Sequence, residues 1–344
     1  MDFRTLGDSG LRVSSLCLGT MTFGHGLMGI GVLGQDEADP LVRAALDAGV
    51  NFFDTADVYS RGQSEEILGR ALKKAGVPRH SVVLATKLRG TMSDAATAET
   101  GDINNRGLSR KHVMESVEGS LHRLGVDYID LYQIHGVDPY TPIEETLDAL
   151  NDVVRAGKVL YLGVSNLAAW QITKALGISA RNGWAQFVSL QAYYSLVARD
   201  LEVELLPMAR SEGLGVLTWS PLAGGYASGK YRAGNPETAR RTAFDFPKVS
   251  PHAEEALTVL EAVAVARGVT MARVALAWLR QQAGVSSVIV GARSLEQLED
   301  NLKAADLELT ADELERLAVP TAPTLPYPQW MMAWQTGAQR PARR

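Results

Sequence analysis

The stretch from Asn51 to Tyr59 combines an apolar run with two side chains that can do acid–base chemistry. Residues 50–53 indicate a buried strand, which ends at the carboxylate of Asp54. Tyr59 follows in loop-like sequence. A carboxylate and a phenol just beyond a strand predict a site at the rim of a sheet or barrel. A surface turn capped by Asp54, with Tyr59 packed beside it, explains the same stretch equally well.

Lys87 and His135 end two later apolar runs in the same way. A lysine at a rim is costly to desolvate unless it is paired, and Asp54 can pair with it. An ammonium beside Tyr59 would stabilise the phenolate and lower the phenol pKa, which makes a proton donor. A neutral histidine can orient a carbonyl oxygen. The group predicts a site that protonates a carbonyl, with hydride from a nicotinamide cofactor.

The composition excludes several classes of function. The chain has 344 residues, of which 46% are hydrophobic and 21% charged, as in ordinary globular proteins. A net charge of −5 gives no reason to expect nucleic acid or an anionic membrane as a partner. No apolar run reaches the roughly 20 residues of a membrane span, and the N-terminus does not resemble a signal peptide. We therefore expect a cytoplasmic protein.

Metal binding and disulfides are not expected either. The chain has one cysteine, Cys17, which lies in an apolar run and is expected in the core. One histidine with two scattered carboxylates does not match the ligand set of a zinc site.

Short apolar runs alternate with helical patterns along most of the chain, which predicts a parallel sheet with helices outside. Eight such units fit a closed (β/α)₈ TIM barrel of the α/β class, and no linker divides the chain, so we expect one domain over residues 1–344. The predicted strands are 15–18, 50–53, 82–85, 128–134, 159–164, 187–190, 215–219 and 287–290.

Five helix starts carry capping signals. Ser64 precedes two glutamates, and Ser109 precedes a stripe of apolar residues at helical spacing. The other three have the spacing of a capping box, in the pairs Thr141 with Glu144, Ser294 with Gln297, and Thr310 with Glu313.

Segments outside the repeat have predicted places of their own. Residues 4–13 should form a hairpin that closes the bottom of the barrel, and the tail from Pro320, rich in Trp, Met and Pro, should fold over the mouth as an apolar lid. Long polar insertions at 89–106 and 224–251 follow strand ends. Residues 24–29 match G-x-G-x-x-G, but helical sequence begins only near Asp36, so a dinucleotide-binding crossover is not expected.

In a barrel the carboxyl ends of all strands converge, and further polar groups follow the later strands: Ser165 and Asn166, Gln191, Trp219 and Ser220, and Gly291 to Arg293. With these residues included, the chain resembles the aldo-keto reductase family over essentially its whole length. The matching segments are 51–56 with Tyr59, 62–65, 85–87, 124–135, 163–166, 219–222 and 290–293. The resemblance is to the branch with potassium-channel β subunits and aryl-alcohol-type reductases.

The resemblance implies roles for these residues. Tyr59 would be the general acid, Lys87 and Asp54 the pair that tunes its pKa, and His135 the group that orients the carbonyl. Arg293 would pair with a 2′-phosphate, which favours NADPH over NADH. The implied cofactor-binding residues are Thr20, Met21, Ser165, Asn166, Gln191, Trp219, Ser220, Leu222, Gly225, Lys230, Gly291, Arg293, Gln297, Asp300 and Asn301.

Within this set, Ser165, Asn166 and Gln191 would hold the carboxamide, and Trp219 would stack on the nicotinamide ring. Two departures from the family pattern are mild: Ala-Tyr-Tyr at 192–194 stands where Glu or Asn is frequent beside Tyr, and Val290 stands where Pro is common.

Three functions fit this reading. The first is reversible, NADPH-dependent reduction of an aldehyde or ketone, and the apolar tail indicates a bulky carbonyl substrate. The second is a lyase that uses Lys87 as a Schiff-base amine, which pairing with Asp54 disfavours. The third is a cofactor-sensing partner subunit without catalysis.

Overall fold

The computed structural model describes residues 1–26, 31–92, 103–231 and 247–339. Its strands are β1 (Phe3–Thr5), β2 (Arg12–Ser14), β3 (Leu16–Gly19), β4 (Gly24–His25), β5 (Val32–Leu33), β6 (Phe52–Asp54), β7 (Val83–Leu88), β8 (Ile129–Ile134), β9 (Val159–Ser165), β10 (Phe187–Tyr193), β11 (Gly215–Trp219) and β12 (Val285–Val290).

The helices surround these strands. They are α1 (Gln35–Asp47), α2 (Gln63–Ala75), α3 (Arg110–Leu124), α4 (Ile143–Arg155), α5 (Ala169–Asn182), α6 (Leu205–Ser211), α7 (Ala253–Arg267), α8 (Met271–Arg280), α9 (Leu295–Leu302), α10 (Ala311–Ala318) and α11 (Gln329–Gln339).

Eight parallel strands close into a barrel in the order β3, β6, β7, β8, β9, β10, β11, β12, with β12 pairing back to β3. This confirms the predicted (β/α)₈ barrel. Four strands run further than their apolar runs and contain the polar residue expected just after them: Asp54 in β6, Lys87 in β7, Ser165 in β9 and Gln191 in β10. All four side chains are buried, so polar residues taken as strand ends are strand residues.

The predicted N-terminal hairpin is β1 paired antiparallel with β2. Leu6 and Val13 from this hairpin are fully buried and pack against Phe52 and Val83, which stand at the start of their barrel strands. Arg4 donates to the carbonyls of Arg280 (2.6 Å) and Val285 (2.9 Å). The hairpin therefore closes the end of the barrel opposite the carboxyl ends of the strands.

Three capping predictions hold. The hydroxyls of Ser109, Ser294 and Thr310 accept hydrogen bonds from the third residue of their helices. The capping box at Thr310 is complete, whereas the Gln297 side chain accepts from the N–H of Arg293 (3.1 Å) instead of Ser294.

Two capping predictions are wrong. Helix α2 begins two residues earlier than expected, with Gly62 instead of Ser64 at the N-cap, and Ser64 donates to the carbonyl of Thr20 (2.7 Å) from inside its first turn. Thr141 donates to Asp138 (2.7 Å), because α4 begins only after Pro142.

The glycine-rich stretch after β3 forms the two-stranded hairpin β4–β5, and helix α1 begins only at Gln35, as the rejection of a dinucleotide-binding crossover required. Residues 27–30 of this stretch lie outside the described part, as do 93–102 and 232–246 of the two predicted insertions.

In the C-terminal segment, Thr321 donates to the carbonyl of Leu196 (2.7 Å), just beyond the carboxyl end of β10. The tail thus starts on the mouth side. Helix α11 carries Trp330 and Trp334, which are 49% and 65% exposed. Whether the tail covers the mouth stays a prediction.

None of the described helices is by itself long and apolar enough to cross a membrane. Helices α7 and α8 meet that test only when joined, and a bend of 102° separates them.

Candidate active site

Asp54 and Lys87 meet inside the barrel because their strands, β6 and β7, are neighbours. Lys87 Nζ donates to Asp54 Oδ1 (2.6 Å) and to the carbonyl of Thr55 (2.8 Å), and its side chain is fully buried. Burial acts to lower the pKa of Lys87, but the charge of Asp54 and the nearby Tyr59 raise the pKa above its usual value. The group is therefore an ammonium held at a fixed position.

Tyr59 opens a short 3₁₀ turn (Tyr59–Gly62) after β6, and its phenol oxygen lies 3.3 Å from Lys87 Nζ. Burial raises the pKa of this phenol above its ordinary value, Lys87 acts in the opposite direction, and Asp54 adds to the rise. The predicted lowering of the Tyr59 pKa is thus wrong in direction, because desolvation outweighs the ammonium. The phenol is protonated at neutral pH, which is the form that a proton donor needs.

His135 directly follows β8 and lies edge-to-face against Tyr59, with ring centroids 5.8 Å apart. Burial, together with the positive charges of Lys87 and Arg89, lowers the pKa of His135 to about 3. The imidazole is neutral across the physiological range, in agreement with its expected form.

Two glutamine side chains hold Asp54 from the other side. Asp54 Oδ2 accepts from Gln133 Nε2 (3.1 Å) and from Gln191 Nε2 (2.9 Å). Gln191 was expected to hold a carboxamide, but its amide nitrogen is used inside the protein. Gln133 was missed, although it lies two residues before His135 and is the register partner of Lys87. The two-residue period of a strand places it on the inward face.

A second residue that was not predicted is Asp57. It lies between Asp54 and Tyr59 in the sequence, and its side chain is completely buried. Its Oδ1 accepts from the N–H of Val58 (2.5 Å), and its Oδ2 has no hydrogen-bond partner in the part of the chain that is described. Burial and the charge of Glu65 raise the pKa of Asp57 well above the usual value. The run of small and apolar residues around it was the signal for burial.

Glu65 belongs to a buried network between α2, α3 and the barrel. It accepts from Thr86 (2.6 Å) on β7 and forms an ion pair with Arg123 (2.6 Å) on α3. The network fixes the start of α2, and with it the turn that carries Tyr59.

Ser165 and Asn166 stand at the carboxyl end of β9. Ser165 is buried, and its hydroxyl has no hydrogen-bond partner within the described ranges. Asn166 has a φ of 57°, donates to the carbonyl of His135 (3.2 Å) and accepts from Trp219 Nε1 (3.1 Å). An unsatisfied hydroxyl beside an amide side chain fits the carboxamide of a nicotinamide, as the resemblance implied.

Trp219 ends β11 and is half-buried. Its ring stacks on Tyr193, with centroids 4.9 Å apart and planes at 28°.

The turn after β11 brings a cation against a glycine. Ser220 has a φ of 52°, and the carbonyl of Leu222 accepts from the N–H of Gly225 (2.9 Å). A Cβ on Gly225 would lie only 2.5 Å from Lys230 Nζ, so the Lys230 ammonium lies directly against the half-buried backbone of Gly225. A basic group above a glycine turn suits a phosphate.

The segment after β12 is exposed to solvent at its start, whereas its last residues contact neighbouring parts of the protein. Gly291, Arg293 and Gln297 are exposed. Asp300 accepts from Thr270 (2.5 Å) and forms an ion pair with Arg273, and Asn301 is buried. Asp300 therefore also serves to join α8 to α9.

The two residues expected just after β3 differ. Thr20 is buried, and its hydroxyl donates to the carbonyl of Asp54 (3.2 Å) and pairs with Ser64 (2.8 Å), so its side chain joins protein segments. Met21 is half-buried. Across the described residues, no cluster of three or more His, Cys, Asp or Glu is placed to hold a metal ion.

Comparison with known proteins adds independent findings. The model of the "Aldo/keto reductase family" matches residues 15–319. Versiconal hemiacetal acetate reductase of Aspergillus parasiticus is 37% identical, over 95% of this chain and 99% of its own. An uncharacterized oxidoreductase of Bacillus subtilis is 40% identical, over 92% and 95%.

A probable voltage-gated potassium channel subunit beta of Oryza sativa subsp. japonica is also 40% identical, over 89% of this chain and 92% of its own. The barrel, the acid–base cluster at its mouth and these matches lead to one conclusion: the chain belongs to the aldo/keto reductase family of NAD(P)H-dependent oxidoreductases.

Proposed function

We propose that the protein reduces an aldehyde or ketone to an alcohol, reversibly, with NADPH as the hydride donor. One observation carries the proposal: the Lys87 ammonium lies between the Asp54 carboxylate (2.6 Å) and the Tyr59 hydroxyl (3.3 Å), beside a neutral His135. The substrate is a small-molecule carbonyl or alcohol compound, not a macromolecule. The apolar tail favours a bulky substrate of this class. We also propose that it acts in the cytoplasm.

The side chains divide the work at the carbonyl oxygen. His135, as a neutral imidazole, donates a hydrogen bond that orients and polarises the carbonyl. Tyr59 transfers its proton to the same oxygen, and Lys87 stabilises the phenolate that remains. Asp54 keeps Lys87 charged, and Gln133 and Gln191 hold the Asp54 carboxylate in place.

The residues around the mouth fit a nicotinamide cofactor, which when bound supplies a hydride to the carbonyl carbon. Ser165 and Asn166 would hold the carboxamide, and Trp219 would cover the ring. Lys230 with Ser220, Leu222 and Gly225 would hold the pyrophosphate. Gly291, Arg293, Gln297 and Asn301 would hold the adenosine end, with Thr20 and Met21 lining the site. The buried, unsatisfied hydroxyl of Ser165 supports this fit.

Replacement of Tyr59 by Phe tests the proposal. The change removes the proton but keeps the ring against His135, so carbonyl reduction should fall by about 10²- to 10⁴-fold. NADPH binding, measured by fluorescence titration, should remain. Tyr128→Phe, which alters a phenol at the opposite end of β8, should leave both unchanged. Retained turnover in Tyr59→Phe would overturn the assignment of the acid.

The channel subunit among the relatives supports a second candidate, a cofactor-sensing subunit without turnover. Steady consumption of NADPH with simple aldehydes would exclude it, and tight cofactor binding without turnover would support it. A lyase function is disfavoured because the pKa of Lys87 is raised, and a protonated amine is not a nucleophile. Trapping of a substrate adduct on Lys87 with borohydride would revive it.

A further inference from the structure

Tyr193 and Trp219 form an aromatic pair that spans two neighbouring strands at the mouth. They are direct register partners on β10 and β11, and their rings stack at 4.9 Å with planes at 28°. The pair therefore rests on two rigid strand ends.

The pair belongs to a longer series of contacts, the rim network, which consists of Lys248, Tyr193, Trp219, Asn166 and His135. The Tyr193 hydroxyl donates to the carbonyl of Lys248 (2.8 Å), and Trp219 Nε1 donates to Asn166 Oδ1 (3.1 Å). Asn166 in turn donates to the carbonyl of His135 (3.2 Å). These contacts thus connect the carboxyl ends of four consecutive barrel strands, β8 to β11, with His135 and Lys248 contributing backbone carbonyls.

We propose that Tyr193 is a positioning residue: it holds the Trp219 ring in the orientation that receives the nicotinamide, and this inference rests on the proposed function. A ring that is stacked on one face and hydrogen-bonded at its edge has little rotational freedom left. Binding against such a ring costs less conformational entropy than binding against a mobile one. Tyr193 acts through Trp219 and does not itself touch the reacting atoms.

Two variants separate the stack from the hydroxyl. Tyr193→Leu removes the aromatic partner, and Tyr193→Phe keeps the ring while removing the hydroxyl that donates to Lys248. For Tyr193→Leu we expect the Kd for NADPH to rise about three- to tenfold, the range that an aromatic pair contributes. Tyr193→Phe should lose less affinity. With saturating cofactor, kcat should change less than Kd in both variants, because the Asp54–Lys87–Tyr59 cluster is intact.

The cofactor-free protein gives a second readout. Stacking fixes the indole in an asymmetric environment, so the near-ultraviolet circular dichroism of Trp219 should weaken in Tyr193→Leu and persist in Tyr193→Phe. The matched control is Tyr128→Leu, which makes the same change at the far end of the barrel, where Tyr128 packs under Arg79 (4.0 Å). That control should bind NADPH as the wild-type protein does.

The outcomes distinguish this inference from the proposed function. If wild-type protein binds NADPH and Tyr193→Leu binds it equally well, the positioning role is wrong. The same holds if Tyr128→Leu weakens binding as much as Tyr193→Leu, since the effect would then reflect general destabilisation. Wild-type protein that binds no nicotinamide cofactor would overturn the proposed function as well.

Discussion

Asp54 uses both of its carboxylate oxygens inside the protein: Oδ1 on Lys87, and Oδ2 on the two glutamines. The sequence was enough to predict the first partner, because a buried lysine requires an anion. Gln133 was missed, and Gln191 was assigned to the cofactor instead of to Asp54, because hydrophobicity alone does not distinguish a polar residue inside a barrel strand from one at the strand end. The direction of the shift in the Tyr59 pKa was predicted wrongly for a related reason, because the degree of desolvation depends on how the folded protein packs around the phenol.

Asp57 gives a prediction about stability and pH. Its pKa is raised in the folded protein, so the folded state holds this proton more tightly than the unfolded state does. The resulting stability is fully present below the unfolded pKa of about 3.9 and is lost as the pH rises toward the folded pKa. Asp57→Asn cannot ionise. Its free energy of unfolding should therefore improve relative to wild type as the pH rises from 4 to 8.

Urea titrations at several pH values measure this difference. The gain should approach about 1.4 kcal/mol for each unit that separates the folded and unfolded pKa values. A difference that does not depend on pH would show that Asp57 is ionised in the folded protein.

Arg293 gives a prediction about cofactor choice. It is exposed after β12, and a guanidinium suits a 2′-phosphate. Arg293→Ala should weaken the binding of NADPH by about ten- to a hundredfold, the range that a charge-assisted hydrogen bond contributes. The binding of NADH should be weakened much less. Arg316→Ala, which removes an exposed arginine paired with Asp312, is the control. Equal losses for both cofactors in titration would contradict the phosphate role.

At the scale of elements, the contact between α2 and α3 is set by one small residue. A Cβ on Gly69 would lie 2.3 Å from the carbonyl oxygen of Leu124, closer than any real contact. Helix α3 can thus lie against α2 only where a side chain is absent. This contact also supports the pairing of Arg123 with Glu65, and so the turn of Tyr59.

Gly69→Ala should therefore destabilise the protein by about 1–3 kcal/mol through overpacking, although alanine is the better helix former. Gly177→Ala in α5 is the matched control, because its new methyl group would meet nothing within 4 Å. That variant should be more stable by about 0.8–1 kcal/mol. Chemical denaturation of both variants measures the contrast, and a stabilised Gly69→Ala would mean that the helices separate at little cost.

At the scale of the whole molecule, alternation of strands and helices sufficed to predict the barrel, and the turn residues at 7–10 predicted its closing hairpin. Helix starts were less predictable: Ser64 has the right residue type for a cap, but its hydroxyl bonds to Thr20 and Thr55, buried residues directly after β3 and β6. The domain extent over residues 1–344 and the lid remain predictions.

The C-terminal tail tests the lid directly. Tyr327, Trp330 and Trp334 are largely exposed, so removal of the chain from Pro326 should leave the unfolding midpoint nearly unchanged. Because the tail starts on the mouth side, the KM for bulky ketones should rise more than the Kd for NADPH. Unchanged kinetics on bulky ketones would rule out a lid, whereas a small aldehyde serves as the control substrate.

The closure of the barrel has a consequence for synthesis of the chain. The first barrel strand, β3, pairs on one side with β6 and on the other with β12, the last strand to leave the ribosome. Until β12 emerges, β3 and β11 each present an unpaired edge that can capture strands of other chains. The growing polypeptide therefore keeps these two edges open until it has been synthesised through β12, and a chaperone that shields them would reduce aggregation during this interval.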